Sequence, residues 1–257
     1  MSLRYVYGIV PALAAPALES AELAGIGGAP VRAIVSGAIA AATSDVPENE
    51  FGSVALNEHV RDLDWLTPRA SAHQRVNARL LELADTVIPL SFGALYRDDD
   101  RVYEMLRADA ADRVRSLAEL AGRAEWVVTV TRDDADVPSA IADLQALDEE
   151  IRASAPGRAF LLEKRRTTVA REASEREDGD VAAHVFEELA GLAERTYREP
   201  VADAGRDIVA LRLSLLARRD DDRIDARIVS LQDELAPRGY HVRATGPWPA
   251  YRFGSLS

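Results

Sequence analysis

The sequence contains no cysteine, only one lysine and no long apolar run, and each of these absences excludes a class of protein. Without cysteine there are no disulfide scaffolds, no thiolate catalysis and no cysteine-ligated zinc or iron–sulfur sites. Schiff-base catalysis would depend on the single lysine, Lys164. No apolar stretch approaches the roughly 20 residues that cross a bilayer, and the N-terminal residues lack the features of a signal peptide. We therefore expect a soluble, intracellular protein without a membrane partner.

The charge balance argues against a further class of protein, those that bind nucleic acids. The 257 residues include 31 basic and 43 acidic side chains, which gives a net charge of −12. Because such a chain is repelled by phosphate backbones, we expect no nucleic-acid partner. Hydrophobic residues make up 47% of the chain and charged residues 29%, which is typical of globular proteins. At roughly 150 residues per domain, the length predicts two domains.

The first half of the chain predicts an α+β domain with a small mixed sheet, over residues 1–122. Residues 4–10 alternate as in a strand and place Ile9 on the same face as Tyr5 and Tyr7. Two short strands follow, and the turn between them is predicted at residues 36–37.

Helical spacing replaces this alternation between residues 50 and 85. The pattern predicts two helices, one on each side of Pro68. A short buried strand is then expected at residues 87–93. The acidic run at residues 97–101 follows it and predicts the capped start of another helix.

The second half, residues 123–245, predicts a modified ferredoxin-like α+β domain with one strand missing or replaced. A charged helical segment follows residue 157 and extends to about Tyr197, and the pattern leaves open whether it is one helix or two. Its middle, AREASEREDGD, has almost no apolar face, so we expect it to be exposed to solvent or broken there. Residues 246–257 are predicted to form a C-terminal tail.

Motif searches predict no catalytic residue, no metal ligand and no cofactor. The chain has no G-x-S-x-G nucleophile elbow and no phosphate-binding loop that leads into a helix. The four histidines lack metal-ligand spacing and are expected at the surface or its rim: His59, His73, His184 and His241. Two aspartate runs, at residues 98–100 and 220–222, lack the ligand layout of a calcium loop and are interpreted as helix N-caps.

Two segments combine proline, glycine and large aromatic side chains. They are PLSFG, with Pro89, Phe92 and Gly93, and GPWPAYRF, with Gly246, Pro247, Trp248, Pro249, Tyr251 and Phe253. Prolines on both sides of Trp248 restrict the backbone and favour an extended, pre-ordered strap. Such a strap either docks into a cleft of its own domain or offers its aromatic side chains to a partner.

Several segments together resemble the gas vesicle protein F and L family. They are YVYGIV, VRAIVSGAIAAATSDVP and VIPLSFG in the first half, and DIVALRLSLLARR and GYHVRATGPWP before the end of the GPWPAYRF tail. The resemblance covers effectively the whole chain, and the combination is specific although each piece alone is weak. One departure is Ala250, where the tail often has a further proline.

The resemblance implies an accessory protein of gas vesicle assembly that is not an enzyme. It implies two α+β domains, the second of them modified ferredoxin-like, and a place in the cytoplasm at the gas vesicle. The implied partners are the small hydrophobic shell protein and other accessory proteins. The family has no established catalytic residues to transfer to this chain.

Two other functions stay open at this point. Ferredoxin-like domains often bind ligands at sheet edges, so a small-molecule-binding regulatory module is one alternative. An enzyme that works through paired carboxylates is the other. The sequence leaves open the F-like or L-like branch, the oligomeric state, and whether the protein nucleates, chaperones or joins the shell.

Overall fold

A computed structural model describes residues 2–133, 142–201 and 207–254. The chain divides into two compact units. The first unit consists of Met1–Trp126, Leu216–Asp220 and Gly246–Ser257, and the second of Val127–Leu215 and Asp221–Thr245. The segment predicted as a separate tail therefore clusters with the first unit.

The first unit is built on a five-stranded sheet. Its strands are β1 (Ser2–Pro11), β2 (Arg32–Ser36), β3 (Ile39–Pro47), β4 (Ile88–Pro89) and β5 (Leu95–Tyr96). They are ordered β2-β3-β1-β4, and β5 pairs with β1 as well. All the pairings are antiparallel. The predicted β2–β3 hairpin is confirmed, and the turn lies between Ser36 and Ile39.

Strand β1 lies at the centre of this sheet and is buried on both faces from Tyr5 to Val10. Its register against β3 shifts between Val6 and Gly8, which marks a bulge. A bulge reverses the alternation of side chains beyond it. Ile9 consequently packs in the same apolar cluster as Val6, and its predicted place beside Tyr5 was wrong.

Six helices accompany this sheet within the described residues. They are α1 (Ala15–Ser20), α2 (Glu48–Phe51), α3 (Ser53–His59), α4 (Leu63–Ala84), α5 (Asp99–Arg107) and α6 (Ala110–Leu120).

Helix α4 continues through Pro68, so the predicted break at that proline was wrong. The interruption comes earlier, where the carboxylate of Asp62 caps α4 by accepting a hydrogen bond from the Asp64 amide at 3.0 Å. Pro68 lies in the second turn, and its missing N–H removes a single hydrogen bond there. The buried side of α4 beyond it keeps the helix in place, with Val76, Leu80 and Leu81 in the core.

The second unit carries a four-stranded sheet and three helices within its described residues. The elements with most of their residues in this unit are β6 (Arg123–Asp133), α7 (Ala142–Ala153), α8 (Pro156–Ala190), β7 (Arg195–Arg198), β8 (Asp207–Arg218), α9 (Arg223–Leu235) and β9 (Tyr240–Trp248). The strands are ordered β7-β8-β6-β9. The predicted α+β class is confirmed.

The long charged segment is one helix, α8, which ends at Ala190 instead of continuing to Tyr197. Gly191 follows as its C-cap residue, and the Arg-Thr-Tyr-Arg sequence beyond it forms β7. The sequence pattern did not predict this short strand. Four residues next to a long helical pattern give little period-2 signal of their own.

A buried ion pair stabilises the polar middle of α8. Arg132 of β6 donates two hydrogen bonds to the carboxylate of Asp178, at 2.7 Å and 3.0 Å. The two side chains are 5% and 15% exposed, and the hydroxyl of Tyr240 donates to the same carboxylate at 2.7 Å. The middle of α8 is therefore neither broken nor fully exposed, because one of its acidic residues is neutralised against the sheet.

None of the helices in the described part of the chain is long and apolar enough to span a membrane.

We expect Asp178→Asn to lower the free energy of unfolding by about 3 kcal/mol, because it replaces the carboxylate that accepts two hydrogen bonds from the buried Arg132 guanidinium with a neutral amide. Urea denaturation would measure the change. Glu175→Gln is the matched control on the same helix, since Glu175 pairs with Arg171 in an exposed i,i+4 bridge that contributes only about 0.5 kcal/mol. Equal effects from the two substitutions would contradict the role assigned to the buried pair.

Candidate functional site: the C-terminal tail and its docking groove

The C-terminal tail, residues 246–254, packs back onto the first unit. Ala250 is buried in the same apolar cluster as Val6, Ile88 and Leu120. Phe253 packs against this cluster from its edge. A Cβ atom added to Gly254 would lie 3.2 Å from the Leu120 side chain and 3.4 Å from that of Pro89. The tail therefore completes the core of the first unit.

Polar contacts fix the path of the tail. The amide of Arg252 donates a hydrogen bond to the Glu125 carboxylate at 2.7 Å, and Glu125 is only 4% exposed. The amide of Gly254 donates to the carbonyl of Ala250 at 2.6 Å, which closes one turn. The hydrogen bond from Arg252 to the Glu125 carboxylate is charge-assisted, and such bonds are stronger than neutral ones. The hydrogen bond to Glu125 thus holds the middle of this turn.

The strap begins at a position that only glycine fits. Gly246 has φ +141°, and a Cβ atom there would lie 2.7 Å from the carbonyl oxygen of Glu125 and 3.2 Å from the Trp126 ring. L-residues rarely adopt such a φ, and the backbone of Glu125 cannot move aside. The peptide between Gly246 and Pro247 is cis.

The structure brings the two predicted aromatic segments together in one unit. Pro89 of the PLSFG segment pairs with Gly8 of β1 and packs near Gly254. The Phe92 ring lies edge-on to the rings of Tyr5 and His73, with a centroid separation of 5.9 Å in each case. The amide of Gly93 donates to the Tyr5 hydroxyl at 3.1 Å. Sequence reasoning had given no link between the segments.

The side chains of the tail differ in how accessible they are. Pro249 is buried, and Tyr251 and Phe253 are half-buried where the tail docks. Burial raises the pKa of the Tyr251 hydroxyl to about 12, although Asn77 beside it acts in the opposite direction. Pro247 is exposed and Trp248 is half-buried. Trp248 therefore has the same intermediate burial as Tyr251 and Phe253, and Pro247 beside it is open to solvent.

A buried polar cluster, formed by Tyr5, His73 and Asn77, lies next to the docked tail. The side-chain amide of Asn77 donates to His73 Nε2 at 3.1 Å, and His73 Nδ1 lies 2.9 Å from the Tyr5 hydroxyl. His73 is 4% exposed, so its predicted surface position was wrong.

The environment of His73 keeps its ring neutral. Burial lowers the pKa of His73 to about 4, because the charged form loses its hydration there, and the Leu90 backbone opposes this only partly. Burial likewise raises the pKa of Tyr5. The sequence did carry a signal for this cluster. His73 and Asn77 share the helical spacing of Val76 and Leu80, and so lie on the buried face of α4.

The two aspartate runs pair with arginines and backbone amides. Asp98 caps α5 as predicted by accepting from the Arg101 amide at 3.0 Å. Asp99 bridges Arg4 and Arg32 at 2.5 Å and 2.7 Å, and the hydrogen bond from Arg32, followed by that from Arg4, lowers the pKa of Asp99. In the second run Asp221 accepts from the Arg223 amide at 3.1 Å. Within the described residues no group of three or more carboxylates and histidines is placed to bind a metal ion.

Comparisons with known proteins agree with the resemblance seen in the sequence. A family model described as "Gas vesicle synthesis protein GvpL/GvpF" matches residues 3–255. Gas vesicle protein L of Streptomyces sp. (strain CB03234) is 29% identical, over 99% of this chain and 94% of its own length. Gas vesicle protein F of the same strain is 31% identical, over 97% of this chain and 98% of its own length.

A solved structure shares the fold. The crystal structure of the gas vesicle protein GvpF from Anabaena sp. PCC7120 superposes with a TM-score of 0.77 over 100% of both chains. The sequences are 17% identical in that comparison.

We expect Gly246→Ala to loosen the tail and to lower the free energy of unfolding by about 2 kcal/mol, through backbone strain and the clash with Glu125. Thermal unfolding and limited proteolysis near the C-terminus would measure both effects. Gly179→Ala is the control. Its Cβ atom meets nothing within 4 Å inside α8, so it should stabilise the protein by about 0.5–1 kcal/mol. A tail equally resistant to protease in the Gly246 variant would contradict this assignment.

We expect acid to destabilise the protein through His73. Its pKa is lower in the folded state than in the unfolded chain, so the unfolded state binds the proton first as the pH falls below about 6.5. The contribution to stability is complete at neutral pH and declines by about 2 kcal/mol between pH 7 and pH 5. In His73→Gln this part of the pH dependence should vanish, whereas His241→Gln, at an exposed position, should follow the wild type. Denaturant titrations at the two pH values would decide between these outcomes.

Proposed function

The chain belongs to the gas vesicle synthesis protein GvpL/GvpF family, and we propose that it is a non-enzymatic accessory protein of gas vesicle assembly. The observation that carries this proposal is the family match over residues 3–255, which includes both units and the tail. We propose the small hydrophobic shell protein, other accessory proteins, or both as its binding partners. Its proposed location is the cytoplasm, at the gas vesicle.

The physical case for a binding role starts from the needs of a hydrophobic subunit. A shell subunit exposes apolar surface before it assembles, and such surface is prone to aggregation. A strongly acidic protein stays soluble while it covers part of that surface. The net charge of −12 therefore suits a protein that accompanies a hydrophobic subunit until it is incorporated.

The strap around Trp248 is the proposed contact on the first unit. Its backbone is held by Gly246 and by the Arg252–Glu125 hydrogen bond, so little conformational entropy is lost when a partner binds. Trp248 is half-buried, which leaves part of the indole available. Tryptophan dominates the binding energy of many interfaces. Tyr251 and Phe253 are half-buried where the tail packs on the first unit, and in this proposal they hold the strap in position.

The surroundings of two strongly perturbed titratable groups in the first unit support the proposal of a non-catalytic role. Tyr5 and His73 have shifted pKa values, as active-site residues often do. Both are nevertheless buried among Phe51, Phe92 and α4, and they satisfy each other's hydrogen bonds. The shifts follow from packing in a closed core.

We expect Trp248→Ala to weaken capture of the purified shell protein by at least about tenfold, as at an interface hot spot. Immobilised full-length protein and quantified bound shell protein would provide the measurement. Trp248→Phe is the matched control, because it keeps an aromatic ring in the strap and should retain most of the capture.

Circular dichroism and the melting temperature would show that both variants fold. Capture that is unchanged in a folded Trp248→Ala variant would remove the strap from the interface. If the wild type captured neither the shell protein nor any other gas vesicle component, the proposed function itself would fail.

A further inference from the structure

The helical hairpin of the second unit, formed by α7 and α8, carries exposed apolar side chains. Helices α7 and α8 are joined by residues 154–155 and pack against each other, and Leu144 and Leu147 of α7 and Leu162 of α8 are buried. On α8, Phe160 and Leu161 remain 58% and 65% exposed. Two large apolar side chains next to each other in solvent require an explanation.

The arginines on the α7 side of α8 already have partners. Arg158 bridges Glu150 at 2.6 Å, and Arg166 contacts both carboxylate oxygens of Asp148 at 2.5 Å and 3.3 Å. The hydrogen bond from Arg166 lowers the pKa of Asp148. These pairs fix the orientation of the first turns of α8 against α7. They therefore determine which side chains face outward.

The outward face carries two cations together with the apolar pair. At 100° per residue, Phe160, Leu161, Lys164 and Arg165 lie within an arc of about 140°. The ammonium group of Lys164 lies 5.5 Å from the centre of the Phe160 ring. Lys164 and Arg165 are both exposed, and neither pairs with a carboxylate of the described residues. We call these four residues the α8 outer face.

The charge of this face is opposite to that of the whole protein. Residues 156–171 contain five basic side chains and one acidic side chain, Glu163, in a chain with a net charge of −12. The local excess of positive charge therefore stands out against an acidic background. It will attract an anionic partner selectively, because like charges repel that partner from most of the remaining surface.

We propose that the α8 outer face is a docking site for an acidic, amphipathic helical segment of another polypeptide. The apolar side of that helix would cover Phe160 and Leu161, and its carboxylates would pair with Lys164 and Arg165. This is helix-to-helix recognition through spaced apolar anchors with charges at the rim. The proposal deepens the proposed function, on which it rests, by naming a second contact surface and the chemistry of the partner that it fits.

A lipid surface fits the α8 outer face less well than a protein helix does. An interfacial membrane helix needs a long apolar face along most of its length. Here the apolar pair is confined to one turn, and α8 becomes acidic beyond Arg171, at Glu172, Glu175 and Glu177. Anionic lipid would repel those carboxylates. A protein segment of two to three turns needs only the length of surface that α8 provides.

The test uses the full-length chain and a synthetic peptide of about 20 residues, stapled as a helix, with leucines along one face and glutamates elsewhere. Fluorescence anisotropy measures binding. We expect Lys164→Glu/Arg165→Glu and Phe160→Ser/Leu161→Ser each to weaken binding by at least about tenfold. Raising NaCl from about 0.05 M to about 0.5 M should weaken binding to the wild type in the same direction.

Two controls isolate the α8 outer face. Val54→Ser/Leu63→Ser removes two apolar side chains of similar exposure from the first unit, 74% and 72% exposed, and should leave binding unchanged. A peptide of the same composition in scrambled order, without a continuous apolar face, should bind at least about tenfold more weakly.

The proposal is overturned if the stapled peptide does not bind, or if the α8 variants bind it as the wild type does. It is also overturned if vesicles of equal phosphatidylglycerol and phosphatidylcholine bind the α8 outer face in place of the peptide. Because the peptide is not a gas vesicle component, this result is independent of shell-protein capture. Failure of the docking site and failure of the proposed function are therefore distinguishable.

Discussion

Burial of strand β1 on both faces is the constraint on which the first unit depends. One face carries Tyr5 and Tyr7, whose hydroxyls need polar partners inside the core, and His73 and Ser44 supply them. The other face carries Val6, which needs an apolar cover. Sheet pairing with β3, β4 and β5 satisfies the backbone but covers neither face. Helix α4 covers the aromatic face, and α5, α6 and the tail contribute to the apolar cover.

The sequence predicted those elements whose signals are local. The β2–β3 hairpin and the Asp98 cap of α5 depend on a few neighbouring residues, and both were found. The errors arose where distant packing decided the outcome. Burial of one side of α4 outweighed the cost of Pro68, and the bulge in β1 moved Ile9 to the other face. Neither effect is visible in a window of a few residues.

For the two aromatic segments, too, local features could be predicted from the sequence and distant packing could not. Proline and glycine spacing indicated a pre-ordered strap before Tyr251, and Gly246 does require its unusual φ. The sequence left open whether the strap docks or binds a partner. In the structure Ala250 is buried against β1 and α6 residues that are far away in the chain, which no local pattern could reveal. The family itself was evident from the sequence, since its segments span both ends of the chain.

The docked tail has a consequence for biosynthesis. A ribosome synthesises the chain in order, so β1 is made long before Ala250 and Arg252 are added. Until then Glu125 lacks the amide of Arg252, and the side chains of Val6 and Leu120 lack one wall of their cluster. Domains generally fold as units, the N-terminal ones first during synthesis. The first unit instead reaches its final form only after residues 246–254 have been added, so a nascent or truncated chain without them exposes an incomplete core that can associate with other proteins.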